Sequence, residues 1–414
     1  MTNMINTEVK KTLLMIFPAM PYPLRSNGLS MRYLPIIRYF SRNYIIDIIV
    51  LDDKNTCREN VDELKGYCRR VSIISNPLNG GYSIFKKFVK RVNVLLPWNP
   101  PIYFAVYYGD YILHKIKELT SGVHYDTLIW TTSHYSGYLL YLLKFVSRER
   151  TIVDFVDSPF LAVKRKVISL NSCLLQHYEY WKTLRWEAKI IRNSTSSIYI
   201  SSVDAGAVPS RLTSGCKRYV IPNGISAETY TDYIDKKVKS PNIGFLGNME
   251  YAPNVESVHW LYEHVFLPLR SEIQNLSLYV IGKNPVRSIK ELALKEGVFI
   301  TGEVANIWPI VNAIDVFVFP LWNGIGLKNK LLEAMYAKRP VVTTPIGNEG
   351  IEAVQHRDLL ICNSEEEFQH EVLRLLYSPD KRAILGESGH KFVTENYSWE
   401  RILREFEAVI TGSI

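Results

Sequence analysis

Strand-like apolar runs alternate with helical patterns over almost the whole length of this 414-residue chain. Such alternation is typical of parallel α/β layers, in which each strand is followed by a helix that packs on the sheet. In the first half, the predicted strands are 12–19, 45–52, 127–133, 151–158, 196–202 and 217–224. We therefore expect the first half to form a doubly wound α/β sheet.

A polar stretch after Gly224 separates this series from a second one. The predicted strands of the second series are 242–248, 276–282, 297–303, 315–321 and 339–347. The chain then ends in an amphipathic helical pattern with Trp399 near its start. We predict a first domain at 1–225, a linker at 226–240, a second domain at 241–394 and a terminal helix at 395–414.

The bulk composition limits the class of protein. Hydrophobic residues make up 47% of the chain and charged residues 22%, which is typical of globular domains and argues against disorder. A net charge of +8 suits anionic partners, although a solvated basic surface without function is the default interpretation. The five cysteines show no C-x-x-C spacing, so we expect free thiols in a reducing cytoplasm. No apolar run reaches the roughly 18 residues that span a bilayer.

The segment NGIGLKNKLLEAM at 323–335 follows the predicted strand at 315–321. A glycine-rich turn leads there into a helix predicted from about Leu327. In open α/β sheets, ligands bind beyond the carboxyl ends of the strands. The start of a helix offers free N–H groups and a positive dipole end, so the pattern favours an anion at this point.

Particular side chains of this segment suit a nucleoside diphosphate. Gly324 and Gly326 would let the backbone approach a phosphate closely, and Lys328 and Lys330 would neutralise its charge. Glu333, one turn further on, would accept hydrogen bonds from ribose hydroxyls. The alternative is an ordinary turn before a core helix, with Lys330 and Glu333 as a surface pair spaced i,i+3.

The residues from Phe319 to Ile351 resemble the C-terminal donor-binding signature of glycosyltransferase family 4, whose members are retaining enzymes with a GT-B fold. Other segments agree with the family in order and spacing. They are VIPNGI (220–225), IGFLGNMEYAPNVESVHWL (243–261), VIGKNP (280–285), VFITGEVANIWPIVNAIDVFVFP (298–320) and YSWERI (397–402).

The resemblance implies two Rossmann-like doubly wound domains that face each other across a cleft, with a C-terminal helix that returns to the first domain. The second domain would bind a UDP- or GDP-linked sugar as donor substrate, and the first would bind the acceptor. The family implies no metal cofactor, because lysines and helix dipoles stabilise the leaving diphosphate instead. It also implies bacterial surface-polysaccharide synthesis on a lipid-linked glycan, by a cytoplasmic or peripheral membrane protein.

This chain departs from the family pattern at two places. The family often has two glutamates eight positions apart; Glu333 matches the second, but Ile325 stands where the first would contact the transferred sugar. Ribose binding therefore carries over to Glu333, and the usual sugar contact does not. Gly247 and Asn248 correspond to the loop where the family supplies basic residues to the diphosphate, which leaves neutralisation to the lysines of the motif.

The first half offers weaker candidates. Gly28 lies where the family has a glycine-rich loop under the donor phosphates, and Arg25 and Arg32 would add positive charge; an ordinary turn is the alternative. Asp157 follows a predicted strand, where family members carry a polar residue near the donor sugar. The alternative role for Asp157 is a helix N-cap or a turn residue. Asp154 is three positions away and faces the other side of the strand, which argues against a carboxylate pair.

The segment IFKKFVKRVNVLLPW at 84–98 predicts a basic amphipathic helix. One face is apolar, and Lys86, Lys87, Lys90 and Arg91 share the other. Such a helix can lie on an anionic membrane. The alternative is a helix packed on the sheet with a solvated basic face.

We predict a retaining, metal-independent hexosyltransferase-type enzyme in which Asp157 and Lys330 act at the reacting centre. No Asp-x-Asp and no metal-type histidine spacing occurs, and His134 is expected near the cleft. Two alternatives stay open: a hydrolysing sugar-nucleotide epimerase of the same fold, and a non-catalytic scaffold that binds a glycan or a partner. No motif supports nucleic-acid binding.

Overall fold

The computed structural model describes residues 10–24, 28–51, 58–75, 96, 100–101, 109–131, 137, 139–169, 174–225, 230–324 and 326–414. The chain forms two compact units, Met1–Pro222 with Leu403–Ile414, and Asn223–Ile402. The predicted residues Arg25, His134 and Ile325 lie outside the described ranges, and so does nearly all of the helix predicted at 84–98.

The first unit contains a parallel sheet. Its described strands are β1 (Thr12–Phe17), β2 (Ile45–Val50), β3 (Arg70–Ile73), β4 (His124–Thr131), β5 (Ser147–Val156), β6 (Ser196–Tyr199) and β7 (Lys217–Val220). They are ordered β3-β2-β1-β4-β5-β6-β7, with every pair parallel. Five of the six residues of β1 are buried, as expected of a central strand covered on both faces.

The second unit contains another parallel sheet. Its strands are β8 (Asn242–Leu246), β9 (Ser277–Ile281), β10 (Val298–Ile300), β11 (Val316–Phe319), β12 (Val341–Thr343) and β13 (Leu360–Ile361). Among the described residues they are ordered β10-β9-β8-β11-β12-β13. All residues of β8, β9, β11 and β12 are buried, which explains why these strands read as continuous apolar runs.

The helices connect these parallel strands. Those of the first unit are α1 (Gly28–Phe40), α2 (Arg58–Lys65), α3 (Gly109–Thr120), α4 (Leu139–Leu142), α5 (Pro159–Ser169), α6 (Leu174–Arg192) and α7 (Ser202–Ala207). Those that follow are α8 (Ala252–Leu261), α9 (Leu267–Glu272), α10 (Arg287–Leu292), α11 (Trp308–Val311), α12 (Asn329–Tyr336), α13 (Pro345–Asn348), α14 (Glu365–Leu376), α15 (Pro379–Asn396) and α16 (Trp399–Thr411). Parallel strands require such crossovers.

The last part of α16 belongs to the first unit. The Phe406 ring lies 6.4 Å from the ring of Tyr33 and 6.1 Å from that of Phe40, centroid to centroid. The Tyr39 hydroxyl donates a hydrogen bond of 2.8 Å to the carboxylate of Glu407. The amphipathic end of the chain therefore completes the core of the unit in which the chain begins.

The predicted fold class is confirmed: two Rossmann-like, doubly wound parallel sheets. All eleven predicted strands are present, with ends that differ by a few residues. The sequence prediction missed β3 and β13. Both lie at sheet edges, where β3 is only partly buried and β13 has two residues, so neither shows a long apolar run.

Candidate functional site

The order of the second sheet places the predicted donor loops side by side. Sequence order runs outward from β8 to β10 on one side of the sheet and from β11 to β13 on the other. β8 and β11 are hydrogen-bonded neighbours, with Ile243 paired to Val316. The crevice at such a reversal is where doubly wound sheets bind ligands. Gly247 follows β8 and Gly324 follows β11, so both predicted loops begin at this point.

The turn after β11 needs its glycines. Gly324 has φ +136° and Gly326 has φ +70°, backbone conformations that residues with a side chain rarely adopt. A Cβ added at Gly324 would come no nearer than 3.9 Å to another residue, the contact being Cε of Lys328. Backbone geometry, not crowding, therefore requires glycine there, and the space beside this backbone is open.

Helix α12 begins at Asn329, two residues later than predicted, with Lys328 at its N-cap. Lysine has no acceptor atom, and no side-chain hydrogen bond caps the helix. The first turn also contains no acidic residue. The positive end of α12 is thus left without a side-chain cap at the end of the glycine turn, an arrangement that favours an anion.

The two motif lysines have different surroundings. Lys328 is buried, and its ammonium donates a hydrogen bond of 2.6 Å to the carbonyl of Gly326. The Lys330 ammonium lies 4.7 Å from the ring centroid of Phe245 and 5.8 Å from that of Phe319. Burial, together with the charge of Lys328, lowers the pKa of Lys330 from 10.5 to about 7.

Asn254, in the first turn of α8, connects Lys330 to the loop after β8. Its Oδ1 accepts a hydrogen bond of 2.5 Å from the Lys330 ammonium, and its Nδ2 donates one of 2.8 Å to the carbonyl of Asn248. A Cβ added at Gly247 would lie 2.7 Å from that Nδ2. The structure therefore brings three predicted residues, Gly247, Asn248 and Lys330, around a residue that the sequence prediction missed.

Gly282 was also missed. It has φ +147°, and a Cβ there would lie 1.8 Å from the carbonyl oxygen of Gly247. The Gly247 amide donates to the carbonyl of Ile281, and the Met249 amide donates to that of Lys283. The loop after β8 is thus fixed by close backbone contact with the loop after β9.

Glu333 lies in the second turn of α12 and is 8% exposed. A surface pair with Lys330 is therefore excluded, since Glu333 is buried and the Lys330 ammonium donates to Asn254. Glu333 thus lies on the buried side of α12, about one turn beyond the helix start.

Arg32 in the first unit does not serve the role suggested for it. It is 1% exposed, and its Nε donates a hydrogen bond of 2.7 Å to Asp154, which is fully buried. Its Nη1 donates to the carbonyls of Ile221 and Pro222. The prediction that Arg32 adds positive charge for a phosphate is wrong, because the charge is neutralised inside the unit.

The end of β5 turns sharply just before Asp157. Val156 has φ +59°, which is an outlier for a β-branched residue, and the pairing of β5 with β6 shifts register there. The Val156 amide donates a hydrogen bond of 3.0 Å to Oδ1 of Asp154. The ion pair between Asp154 and Arg32 thus also fixes the kink that sets the position of Asp157.

Asp157 is not the N-cap of α5. That role belongs to Ser158, whose hydroxyl accepts from the Leu161 amide, while the Phe160 amide donates to the carboxylate of Glu187. Burial raises the pKa of Glu187 to about 7. Asp157 itself is only partly buried and follows directly after the strand, as predicted.

Gly28 is the first residue of α1, and a Cβ added there would meet nothing within 4 Å. The backbone at this helix start is therefore uncrowded.

Over the residues with a described structure, no group of three or more acidic, histidine or cysteine side chains could hold a metal ion. In the same ranges, no helix is both long and apolar enough to cross a membrane. Cys68, Cys216 and Cys362 are free thiols.

Comparison with known proteins agrees with this geometry. The fold, with two parallel Rossmann-like sheets, is that of the GT-B class. Residues 240–378, which hold the second sheet and the site described above, match the model of the family "Glycosyl transferases group 1". The match shows that this part of the chain is similar to that family.

Two relatives share part of the sequence. An uncharacterized glycosyltransferase of Methanocaldococcus jannaschii is 28% identical over 190 residues, which are 42% of this chain and 47% of that protein. An uncharacterized 44.6 kDa protein in the cps region of Klebsiella pneumoniae is 25% identical over 243 residues, 56% of this chain and 61% of that protein. The matched regions thus span about half of these relatives' lengths.

Solved structures resemble almost the whole chain. Sucrose-phosphate synthase from Thermosynechococcus elongatus has a TM-score of 0.69 at 14% identity, over 97% of this chain and 99% of its own. The HepE protein of Anabaena in complex with UDP-glucose has a TM-score of 0.63 at 11% identity, over 97% and 99%. At these identities the likeness establishes the fold.

Proposed function

We propose that this protein transfers a sugar from a nucleoside diphosphate sugar to an acceptor hydroxyl. One observation carries the proposal: an uncapped helix start, a glycine turn and a partly buried lysine meet at the switch point of the second sheet. Each of these features favours phosphate, and together they fit a diphosphate better than a single charged group.

The diphosphate would lie at the start of α12. Backbone N–H groups of the glycine turn and of the first helical turn would donate to its oxygens. The Lys330 ammonium would supply a positive charge beside the diphosphate. Asn254 holds the Lys330 ammonium in place by a hydrogen bond of 2.5 Å. Glu333, buried one turn further on, would accept hydrogen bonds from the ribose hydroxyls. A UDP- or GDP-linked donor is the proposal, and the resemblance to a protein that binds UDP-glucose supports it.

The chemistry breaks the bond between the anomeric carbon and the diphosphate oxygen and forms a bond from that carbon to the acceptor oxygen. The leaving diphosphate carries away the bonding electrons and takes up the proton that the acceptor hydroxyl loses. Negative charge therefore develops where the amides of α12 and Lys330 lie, so these groups should stabilise the transition state more than the bound substrate. We propose that the anomeric configuration is retained and that no metal ion is required.

The first unit would bind the acceptor. Within it, we propose Asp157 as a residue that acts near the transferred sugar and Gly28 as a residue near the donor phosphates, as the family resemblance implies. We propose a lipid-linked glycan as acceptor, in surface-polysaccharide synthesis on the cytoplasmic side of the membrane. The relative in the Klebsiella cps region supports this setting. The alternative is a scaffold that binds without transfer, which is favoured by the isoleucine at position 325 in place of the first motif glutamate.

Calorimetric titration tests the donor site. Purified protein is titrated with UDP, GDP, ADP and CMP in the presence of a chelator, alongside the variants Glu333→Ala and Glu333→Gln. We expect one diphosphate to bind selectively and Glu333→Ala to weaken it by at least about tenfold, because a charge-assisted hydrogen bond contributes roughly 1.5–3 kcal/mol. Binding of no nucleotide, or binding by both variants as tight as that of the native protein, would contradict the proposed site.

A further inference from the structure

The α5 and α6 helices of the first unit pack against each other and carry an unusual exposed surface. Ile168 near the end of α5 is 74% exposed, and Leu174 and Leu175 at the start of α6 are 90% and 48% exposed. Val163 and Val167 extend this apolar surface as a shallow groove between the two helices. Scattered exposed leucines are ordinary, but Leu175 lines this groove together with the two valines, and an exposed apolar surface of this kind marks an interaction surface.

Cations dominate the same two helices. Their sequences contain seven lysines and arginines but only two acidic residues, Glu179 and Glu187. Glu187 is fully buried, whereas Lys166, Arg185, Lys189 and Arg192 are exposed. The pair of helices therefore presents a strongly positive face to its surroundings.

An exposed tryptophan connects the apolar and the basic parts of this surface. Trp181 is 42% exposed and lies between the leucines and the cations along α6. The Arg185 guanidinium lies 4.4 Å from its ring centroid, and the Tyr178 ring is stacked at 6.3 Å. Trp181, Arg185 and Lys189 follow one another at i,i+4 spacing, so they line one side of the helix.

We propose that this surface docks on a bilayer of anionic lipid. It is defined by Ile168, Leu174, Leu175, Trp181, Arg185 and Lys189 and is named the α5–α6 surface. The leucines and Ile168 would enter the boundary between headgroups and acyl chains, Trp181 would lie at the headgroups, and the cations would contact lipid phosphates.

A bilayer fits these residues better than other anionic partners do. A nucleic acid would satisfy the cations but would leave two adjacent leucines in water. A protein partner would need matched acidic side chains around an apolar centre, whereas a bilayer presents both chemistries in the observed order. The inference deepens the membrane setting of the proposed function by naming the surface that would bind lipid, and vesicle binding tests it without any sugar transfer.

Vesicle co-sedimentation tests the proposal with the full-length protein. Vesicles of phosphatidylglycerol and phosphatidylcholine in equal parts are compared with vesicles of phosphatidylcholine alone, over a series of salt concentrations. We expect retention by the anionic vesicles only, and less retention as salt rises, because screening weakens attraction to the surface.

Two variants divide the contributions of charge and apolar insertion. Arg185→Gln with Lys189→Gln should lower the vesicle partition coefficient about 30-fold, since each basic residue near an anionic surface contributes about 1 kcal/mol. Leu174→Ser with Leu175→Ser should lower it roughly tenfold or more. Matched controls lie in the second unit: Leu294→Ser, at 86% exposed, and Arg287→Gln, on an exposed helix surface, should leave the coefficient unchanged.

Brominated lipid provides a second readout. Quenching of tryptophan fluorescence by brominated anionic vesicles should be reduced in Trp181→Phe, which keeps an aromatic ring at that position. Absence of binding to anionic vesicles, or equal binding by the α5–α6 variants and the native protein, would overturn the proposal. So would self-association in sedimentation velocity that the leucine variant abolishes, because a second copy would then cover this surface.

Discussion

Nucleotide binding should take up a proton at Lys330. In the free protein the pKa of this ammonium is lowered to about 7 by burial and by the charge of Lys328. At pH 8, only about a tenth of the molecules would therefore carry the charge. A diphosphate nearby favours the charged form, so the pKa rises on binding and about 0.9 proton enters the complex at that pH. Above pH 7, the dissociation constant should increase about tenfold per pH unit until the pKa of the complex is reached.

Calorimetry in buffers of different ionisation enthalpy measures this proton directly. The apparent binding heat at pH 8 should differ between phosphate-type and amine buffers, and the difference should become smaller towards pH 6. Ionisation of the nucleotide itself adds little above pH 7, because the last phosphate pKa is near 6. Lys330→Arg is the matched variant, since a guanidinium stays charged and should remove the proton uptake. Buffer-independent heat in the native protein at pH 8 would show that Lys330 takes up no proton on binding.

Further predictions concern other buried positions. Gly282→Ala should lower stability by on the order of 3 kcal/mol or more, because its Cβ would overlap the Gly247 carbonyl at a positive φ; thermal unfolding measures it. Asn254→Ala should weaken nucleoside diphosphate binding about fivefold, by releasing the Lys330 ammonium; titration measures it. Burial raises the pKa of Glu187 from 4.5 to about 7, so the native state holds this proton more tightly than the unfolded chain does. The free energy of unfolding should therefore fall by at most about 3 kcal/mol as pH rises through the interval between these two pKa values. Glu187→Gln should flatten that dependence in urea unfolding at pH 5 and pH 8.

Each of these predictions has a contrary result. Gly28→Ala is the control for Gly282→Ala, because a Cβ at position 28 meets nothing within 4 Å; equal melting temperatures of the two variants would refute the crowding argument. Unchanged affinity in Asn254→Ala would show that this residue does not position Lys330. An equal pH dependence of unfolding in native protein and Glu187→Gln would exclude Glu187 as its source.

The sequence allowed the sheets and the donor turn to be predicted because these depend on local patterns. Strands buried on both faces read as apolar runs, which is why β8, β9 and β11 were found. Gly324 and Gly326 were predicted for close approach to a phosphate, and their positive φ angles show that the turn requires glycine. Edge strands and very short strands lack this local signal.

Residues that act through tertiary contacts could not be predicted in the same way. Arg32 reads as an exposed cation in sequence, but its partner, Asp154, is 122 positions away. Asn254 acts between Asn248 and Lys330, which lie on separate elements. Buried polar side chains carry no periodic signature, so only the folded chain shows that their hydrogen bonds are satisfied.

Release of nucleoside diphosphate is the direct measure of sugar transfer from the site at α12. Native protein, Lys330→Ala and Glu333→Ala are incubated with UDP- and GDP-linked sugars and a bacterial lipid extract in chelator. We expect release from one nucleotide series, slower turnover in Lys330→Ala and weaker donor binding in Glu333→Ala. Full activity of both variants, or nucleotide binding without any release, would contradict sugar transfer from this site.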